Sequence, residues 1–131
     1  MQKADVLRIV NALKFDRRDF WIVAGSAMCV YGLRQETNDV DLGCTTHLAD
    51  ELERSGCCPV YLSDGSRKFA YHADVEIFEN FLFDEVKMLD GVPIISLPGL
   101  LEMKRFLGRK KDAEDIKKLE QYLGICNSEG I

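Results

Sequence analysis

Apolar residues in the first part of the chain follow two different periods. Near the start they recur every three or four residues, at Val6, Ile9, Val10 and Leu13. This spacing predicts an amphipathic helix over residues 3–14. The next apolar run, "FWIVA", is short, aromatic and β-branched, which is typical of a buried strand, here ending at Gly25. Ser26 follows at the position of a helix N-cap, ahead of "AMCVYGL".

In the stretch "NDVDLG" the apolar residues recur at every second position. Its apolar residues, Val40 and Leu42, alternate with Asp39 and Asp41. In a strand this alternation sends both aspartates to the same face. A buried carboxylate is costly, and two that face the same way repel each other, so a positively charged partner is expected beside them. The alternative is that both side chains lie on an exposed strand face and are simply solvated.

Cap and turn residues predict three further helices, over residues 46–54, 98–107 and 110–123. The first of these begins after Thr45 or Thr46 as its N-cap and ends at Gly56. The last residues, about 124–131, are expected to form a loose tail.

Two hairpins are predicted between the helices. The pair Asp64-Gly65 is a turn signal between two strands. The second of these strands contains "AYHADVEIF", whose alternation places Asp74 and Glu76 on one face. A second, shorter hairpin is expected in "EVKMLDGVPIISL", with its Asp-Gly turn at residues 90–91.

Length and composition limit the class of protein. The 131 residues are 47% hydrophobic and 30% charged, which predicts one globular domain over residues 1–131. No stretch approaches the roughly 20 apolar residues of a membrane span, and the N-terminal segment lacks the features of a signal peptide. We therefore expect a cytoplasmic protein with no membrane contact. The net charge of -5 argues against broad binding to nucleic acid.

The cysteine content fits the same compartment. There are five cysteines, an odd number, and cytoplasmic thiols stay reduced and need no pairing. Cys57 and Cys58 are adjacent, so a vicinal disulfide or a metal site is conceivable on spacing alone. No CxxC spacing or nearby histidine supports a zinc site, and two ordinary thiols are the simpler interpretation.

The Gly-Ser turn and the aspartate pair together suggest a chemistry. A helix that begins at Ser26 would present free backbone N–H groups and a positive dipole end, which suit a phosphate. Asp39 and Asp41 suit Mg²⁺, which takes oxygen ligands and is commonly shared between carboxylates and substrate phosphates. A nucleoside triphosphate with bound magnesium satisfies both halves of such a site.

The segment "GSAMCVYGLRQETNDVDL" resembles the signature of the nucleotidyltransferase superfamily, which includes DNA polymerase β, the aminoglycoside and lincosamide nucleotidyltransferases and the AbiE-type toxins. The signature is a hydrophobic residue, Gly, Gly or Ser, a spacer of about a dozen residues, then Asp, hydrophobic, Asp. The spacer here is residues 27–38, which is 12 residues. Gly32, Arg34 and Thr37 match a closer variant, although residues 35–36 depart from its commoner form. The later stretch "SLPGLLEMKRFLGRKKDAEDIKKL" resembles the tail of small members.

The resemblance implies an α/β (α+β) fold with a short mixed sheet flanked by helices and two C-terminal helices. It implies that Gly25 and Ser26 hold the β- and γ-phosphates of a nucleoside triphosphate. Ser26 could instead be only a helix cap, and the two roles are compatible. Lys104 and Arg109 could neutralise the triphosphate tail. They could equally belong to a solvated, salt-bridged helix pair, since acidic residues accompany them at helical spacing.

The resemblance also implies that Asp39 and Asp41 bind a pair of Mg²⁺ ions, with Mn²⁺ as a possible substitute. The third carboxylate of the family lies on a neighbouring strand and binds metal or deprotonates the acceptor hydroxyl. Asp74 fits that place best, so the predicted metal ligands are Asp39, Asp41 and Asp74. Glu76 is the rival for the third position.

The expected function is transfer of a nucleoside monophosphate to an acceptor hydroxyl, with release of pyrophosphate. The preferred acceptor is a small molecule such as an antibiotic. One alternative is a toxin of a toxin-antitoxin or abortive-infection pair that modifies tRNA or protein. Another is a noncatalytic module that binds nucleotide or a partner. A homodimer or an antitoxin partner is possible, because a single short domain leaves little room for an enclosed acceptor pocket.

Overall fold

A mixed β-sheet organises the part of the chain that the structure describes, residues 1–124. In this computed structural model the strands are β1 (Phe20–Val23), β2 (Val40–Cys44), β3 (Val60–Tyr61), β4 (Arg67–His72), β5 (Val75–Glu79), β6 (Val86–Leu89) and β7 (Val92–Ile95). The α-helices are α1 (Lys3–Ala12), α2 (Ala24–Val30), α3 (Thr46–Arg54), α4 (Leu97–Leu107) and α5 (Ala113–Tyr122). A 3₁₀ turn, Lys110–Asp112, leads into α5.

The seven strands lie in the order β3-β4-β5-β2-β1-β7-β6. β2 runs antiparallel to β1 and parallel to β5, and β7 runs parallel to β1. Every residue of β1 and β7 is buried, because helices cover this region: α2 packs on β1 and β2, and α1 contacts β7. Strand register then places Asp41 beside Val23 on one side and beside Glu76 on the other.

A close approach between side chain and backbone fixes β2 against its neighbour. The indole of Trp21 on β1 donates a hydrogen bond of 2.9 Å to the carbonyl of Phe81 and crosses Gly43 of β2 on the way. A Cβ atom at position 43 would lie 2.1 Å from the indole nitrogen. Gly43 is therefore required for space, and it lets β2 sit at normal strand spacing beside a bulky aromatic residue.

A buried arginine attaches α3 to the sheet. The guanidinium of Arg67 binds both oxygens of Glu79 at 2.9 and 2.8 Å. It also binds Glu53 at 3.0 Å and Asp50 at 2.9 Å, both on α3. The Arg67 side chain is only 12% exposed and that of Glu79 only 8%. The hydrogen bonds from Arg67 lower the pKa of Glu79 to about 2.

Most of the predicted elements are confirmed. The mixed α/β sheet, the helix over residues 46–54 with Thr45 as its N-cap, and both hairpins are present. The opening helix ends at Ala12, two residues before the predicted end. The last helix begins as a 3₁₀ turn and becomes α-helical at Ala113. The predicted loose tail, about residues 124–131, lies outside the described residues except for Gly124.

One strand prediction is wrong. "AYHADVEIF" is not a continuous strand, because residues 73–74 form a tight turn between β4 and β5. This error matters for the site, since it removes Asp74 from the strand face that carries Glu76. Across residues 1–124, no helix combines the length and the apolar character needed to cross a membrane.

Candidate active site

Three carboxylates converge where the central strands meet. Asp39 directly precedes β2, Asp41 lies in β2, and Glu76 lies opposite Asp41 in β5. One oxygen from each side chain lies within 4.8 Å of an oxygen of the other two. Among residues 1–124, this is the one group of three or more side chains whose potential metal-ligating atoms lie this close together. Cys57 and Cys58 carry free thiols and are not part of it.

Asp74 lies outside this cluster. It occupies the turn before β5, its side chain is exposed, and its carbonyl accepts a hydrogen bond of 2.7 Å from Val40. The prediction that Asp74 and Glu76 share one strand face is wrong, because residues 73–74 form a turn between β4 and β5. Glu76, the rival residue, is the carboxylate that the sheet register brings to Asp41.

The three carboxylates change the protonation of the one at their centre. Burial, and then the nearby charges of Asp39 and Glu76, raise the pKa of Asp41 to about 7. Lys68 and Arg109 act in the opposite direction but do not outweigh these effects. A carboxyl group poised near neutrality is typical of a functional site.

The turn from β1 into α2 differs from the predicted cap. α2 begins at Ala24, with Val23 rather than Ser26 in the N-cap position. Ala24 adopts a positive φ of 58°, which is unfavourable for a residue with a side chain and marks a sharp change of direction. Ser26 lies inside the helix and is fully buried.

The hydroxyl of Ser26 connects α2 to β2. It donates a hydrogen bond of 2.8 Å to the carbonyl of Val23 and accepts one of 3.0 Å from the backbone N–H of Asp41. Both bonds are internal, so the side chain of Ser26 faces the sheet. Its role in this structure is to fix the backbone that carries Asp41.

Ser26→Ala is expected to lower the free energy of unfolding by roughly 1–2 kcal/mol, because the buried N–H of Asp41 loses its acceptor. Chemical denaturation measures this loss, and Ser55→Ala, which removes an exposed hydroxyl, is the control, with a change below about 0.5 kcal/mol. Nucleotide affinity should change little. A large loss of nucleotide affinity without loss of stability would contradict this structural role and support phosphate binding by Ser26.

A cavity of about 590 Å³ lies over the carboxylates. Its lining combines the acidic cluster with cationic side chains from other elements: Arg34, Lys68, Lys104, Arg109 and Lys111. Gly25 lies at its edge, and Phe78 adds an aromatic surface. The cavity therefore combines acidic and basic side chains in one concave space. Its volume lies within the range of small-ligand sites.

The predicted phosphate residues on α4 and after it are at this cavity. Lys104 is 2% exposed and lies 3.0 Å from Asp112 and 3.1 Å from Asp115. Arg109 binds both oxygens of Asp112, at 2.6 and 3.2 Å. Burial alone would raise the pKa of Asp112, but the hydrogen bonds from Arg109 and Lys104 outweigh it and hold that pKa below its usual value.

The alternative of a solvated, salt-bridged helix pair is correct for only part of this cluster. Arg105 pairs with Glu120 across α4 and α5 and is half exposed. Lys104 is instead buried between two aspartates at the cavity. Arg105 therefore belongs to a salt-bridged helix pair, whereas its neighbour Lys104 belongs to the cavity.

Three further cationic residues line the cavity: Arg34, Lys68 and Lys111. The sequence indicates Arg34 only as part of the motif and Lys111 only as a member of the charged cluster around Lys104, and it does not predict Lys68. Lys68 lies 3.3 Å from Glu76 and above the ring of Phe78, 5.5 Å from its centre. Only the alternation along β4, which puts Lys68 on one strand face, could have indicated it.

The acidic cluster fits a divalent metal ion. Opposite oxygen ligands of one Mg²⁺ lie about 4.2 Å apart, twice the usual Mg–O distance of about 2.1 Å, and the three carboxylates already lie within 4.8 Å of one another. All three donors are hard oxygen ligands, which Mg²⁺ and Mn²⁺ prefer. Burial, and then repulsion from Asp39 and Glu76, raises the pKa of Asp41, and a bound cation would oppose both effects.

Comparison with known proteins supports the fold. The chain is similar to the crystal structure of a protein from Thermotoga maritima, a provisionally assigned nucleotidyltransferase, with a TM-score of 0.61 and 18% sequence identity. The match covers 95% of this chain and 96% of the other. No protein-family model matches the chain, and no curated protein matches its sequence. The structural match shows a shared fold.

Proposed function

We propose that this protein is a metal-dependent nucleotidyltransferase that moves a nucleoside monophosphate from a nucleoside triphosphate to an acceptor hydroxyl. The observation that carries the proposal is one cavity in which three converging carboxylates face a group of lysines and arginines. Binding of a metal and binding of a polyphosphate are two requirements of this reaction. The fold shared with the Thermotoga maritima protein is consistent with the same reaction class.

Asp39, Asp41 and Glu76 would hold one or two Mg²⁺ ions. Bound magnesium would neutralise charge on the triphosphate and polarise the phosphorus that is attacked. Glu76, at the edge of the cluster, is the carboxylate we assign to accept the proton of the acceptor hydroxyl. No covalent intermediate on the protein is needed.

The cationic side chains would bind the triphosphate tail. We assign the phosphate site to side chains rather than to the start of α2, because this helix has only seven residues and the Ser26 hydroxyl bonds inward to Val23. Lys104 and Arg109 are held at the cavity by Asp112. Gly25, which has no side chain, leaves space for the ligand and its cationic partners at the cavity edge. Together these groups would position the α-phosphorus for in-line attack.

Metal dependence follows from the charges of the cavity. Its five cationic side chains are matched by five carboxylates, the four that line it and Asp115 behind Lys104. When all five carboxylates are ionised the metal-free cavity is formally neutral, and the carboxylates of the cluster repel phosphate. A divalent cation makes the cavity positive and removes that repulsion.

The protein is expected to bind nucleoside triphosphates with magnesium and to lose at least about tenfold in affinity when a chelator removes the metal, a difference of roughly 1.4 kcal/mol. Titration calorimetry with ATP, CTP, GTP and UTP, each with magnesium and with chelator, measures both the dependence and the base preference. Equal binding in chelator would contradict the metal-bridged site. Binding without turnover of any acceptor would favour the noncatalytic module.

We propose a hydroxyl-bearing small molecule as the acceptor. The cavity is open on one side, and the net charge of -5 disfavours a polyanionic acceptor such as tRNA. Transfer from a labelled nucleotide to an aminoglycoside, a lincosamide, tRNA and protein, compared side by side, tests this. Labelling of tRNA or protein alone would support the toxin alternative instead.

A further inference from the structure

We propose that Arg34 is a further anion-binding residue of this site, and that Asp115 is the positioning residue that holds its guanidinium beside Gly25. The inference rests on the proposed function, since the anion in question is the polyphosphate tail of the nucleotide. Arg34 follows α2, and Asp115 lies 81 residues later in α5. They meet only because the fold brings α5 against the loop after α2.

The first observation is the location of the guanidinium. Arg34 lines the cavity, and a Cβ atom at position 25 would lie 2.5 Å from its Nη1 atom. Gly25 does not have a positive φ, so glycine is not required there for backbone conformation. The space that a larger residue would fill is taken by Arg34. The side chain is 33% exposed, so a ligand in the cavity can reach it.

The second observation is the way Arg34 is held. Its Nη2 atom donates a hydrogen bond to Oδ2 of Asp115, and the same oxygen lies 3.1 Å from Nζ of Lys104. The Asp115 side chain is 6% exposed, so this pairing is screened from water. One buried carboxylate therefore fixes two cations at the cavity.

The charge balance distinguishes this arrangement from an ordinary structural ion pair. Arg34, Lys104 and Arg109 share two carboxylates, Asp112 and Asp115, so the group carries an excess of one positive charge. The guanidinium has five N–H donors, and the bond to Asp115 uses Nη2. Nη1 lies at Gly25, on the cavity side. A polyphosphate oxygen there would complete a charge-assisted pair.

The same placement connects the acidic and basic parts of the cavity. Thr37, on the same loop as Arg34, lies 3.3 Å from the Cβ position of Gly25 and hydrogen bonds to the carbonyl of Asp39 at 3.2 Å. Thr37 thus connects the loop that carries Arg34 to the segment that carries Asp39. An anion bound to Arg34 would share the cavity with a cation held by the carboxylates.

Calorimetry with magnesium tripolyphosphate, which has no nucleoside, and with the preferred magnesium nucleotide tests the proposal. Arg34→Gln is expected to raise both dissociation constants about tenfold or more, because a charge-assisted hydrogen bond is lost. Gly25→Ala should have a similar effect, since the added methyl group displaces the guanidinium. Asp115→Asn should also weaken binding, and its effect should be smaller in the Arg34→Gln background than in the parent, because only the part that acts through Lys104 remains.

Matched controls lie at exposed positions of α4 and α5. Arg105→Gln and Glu114→Gln remove one charge of each sign from exposed positions and are expected to leave both dissociation constants within about twofold. In steady-state assays the Arg34 and Asp115 variants should raise KM for the nucleotide more than they lower kcat. Arg34→Lys should bind more tightly than Arg34→Gln but less tightly than the parent, because lysine keeps the positive charge and lacks the planar set of donors of the guanidinium.

Several results would overturn the inference. Unchanged binding by Arg34→Gln would remove Arg34 from the anion site, and an effect of Asp115→Asn that is as large in the Arg34→Gln background as in the parent would show that Asp115 does not act through Arg34. If Asp115→Asn does not fold, Arg34→Gln and Gly25→Ala still decide the role of Arg34. Failure of the parent protein to bind either magnesium ligand would instead refute the proposed function, and this inference with it. Parent binding with unaffected variants would refute only the inference.

Discussion

Asp41→Asn is expected to abolish nucleotidyl transfer and, in the same molecule, to stabilise the metal-free fold at neutral pH. Transfer should fall by at least about 10³-fold, because a metal ligand whose effect on the transition state is several kcal/mol is lost. A radiolabelled-nucleotide assay measures the first effect and urea unfolding in chelator measures the second. Unfolding of the variant would instead make Asp41 a structural residue.

The pH dependence of stability gives the sign of this effect. The folded protein keeps the proton of Asp41 up to about pH 7, while the unfolded chain releases it near 3.8. The folded state therefore binds more protons between these values, and the stability of the parent falls as the pH rises from about 4 to 7. The shift sets a ceiling of about 4 kcal/mol. The free energy of unfolding of Asp41→Asn should not show this dependence on pH. Added magnesium should raise the free energy of unfolding of the parent and not that of the variant.

Two further variants separate the candidate third carboxylates. Glu76→Gln is expected to reduce transfer as strongly as Asp41→Asn does, because it removes a member of the converging group. Asp74→Asn, in the exposed turn, should retain transfer close to that of the parent. The opposite result would show that the turn at residues 73–74 rearranges when the ligand binds.

Arg67→Met is expected to reduce the free energy of unfolding by roughly 3–5 kcal/mol, since breaking a buried ion pair leaves an uncompensated charge. Glu79 would remain nearly buried without its partner, and the two acidic side chains on α3 would lose their shared cation. This is a large part of the about 5–15 kcal/mol that stabilises a typical domain. Guanidinium denaturation is less suitable than urea here, because its ions screen the charges.

Arg18→Met is the matched control, because Arg18 is 88% exposed and forms its ion pair within residues 1–124 with Asp16, two residues away. Its loss should be below about 1 kcal/mol. The depressed pKa of Glu79 adds a second readout: its stabilisation is present above pH 4.5 and is lost as the pH falls through about 2. Arg67→Met should remove that acid sensitivity. Equal losses in the two variants would contradict the assigned importance of burial.

The parts of the site that depend on local pattern could be predicted from the sequence. Asp39 and Asp41 alternate with apolar neighbours, and strand periodicity is enough to put them on one face. The third carboxylate could not be predicted in the same way. Choosing Glu76 over Asp74 requires the turn at residues 73–74, which contains neither glycine nor proline and so gives no sequence signal.

The basic side of the cavity depends on contacts between distant segments. Lys104 has ordinary helical neighbours in sequence, and only the packing of α4 on α5 buries it against Asp112 and Asp115. Ser26 is a similar case. A serine after a strand is normally a good cap, but the chain turns sharply at Ala24, so the N-cap is Val23, three residues earlier, and the Ser26 hydroxyl points inward.

The distance in sequence between the two sides of the cavity has a consequence for biosynthesis. β1 pairs with β7, and the loop after α2 meets α5, so residues from the first third of the chain need partners from the last third. During translation the N-terminal acidic segment leaves the ribosome long before these partners are made. Pairings so far apart in sequence form slowly. β1 therefore lacks its second neighbouring strand until β7 emerges, and Arg34 lacks Asp115 until α5 does. We expect this interval to be the one in which a chaperone has most effect on yield.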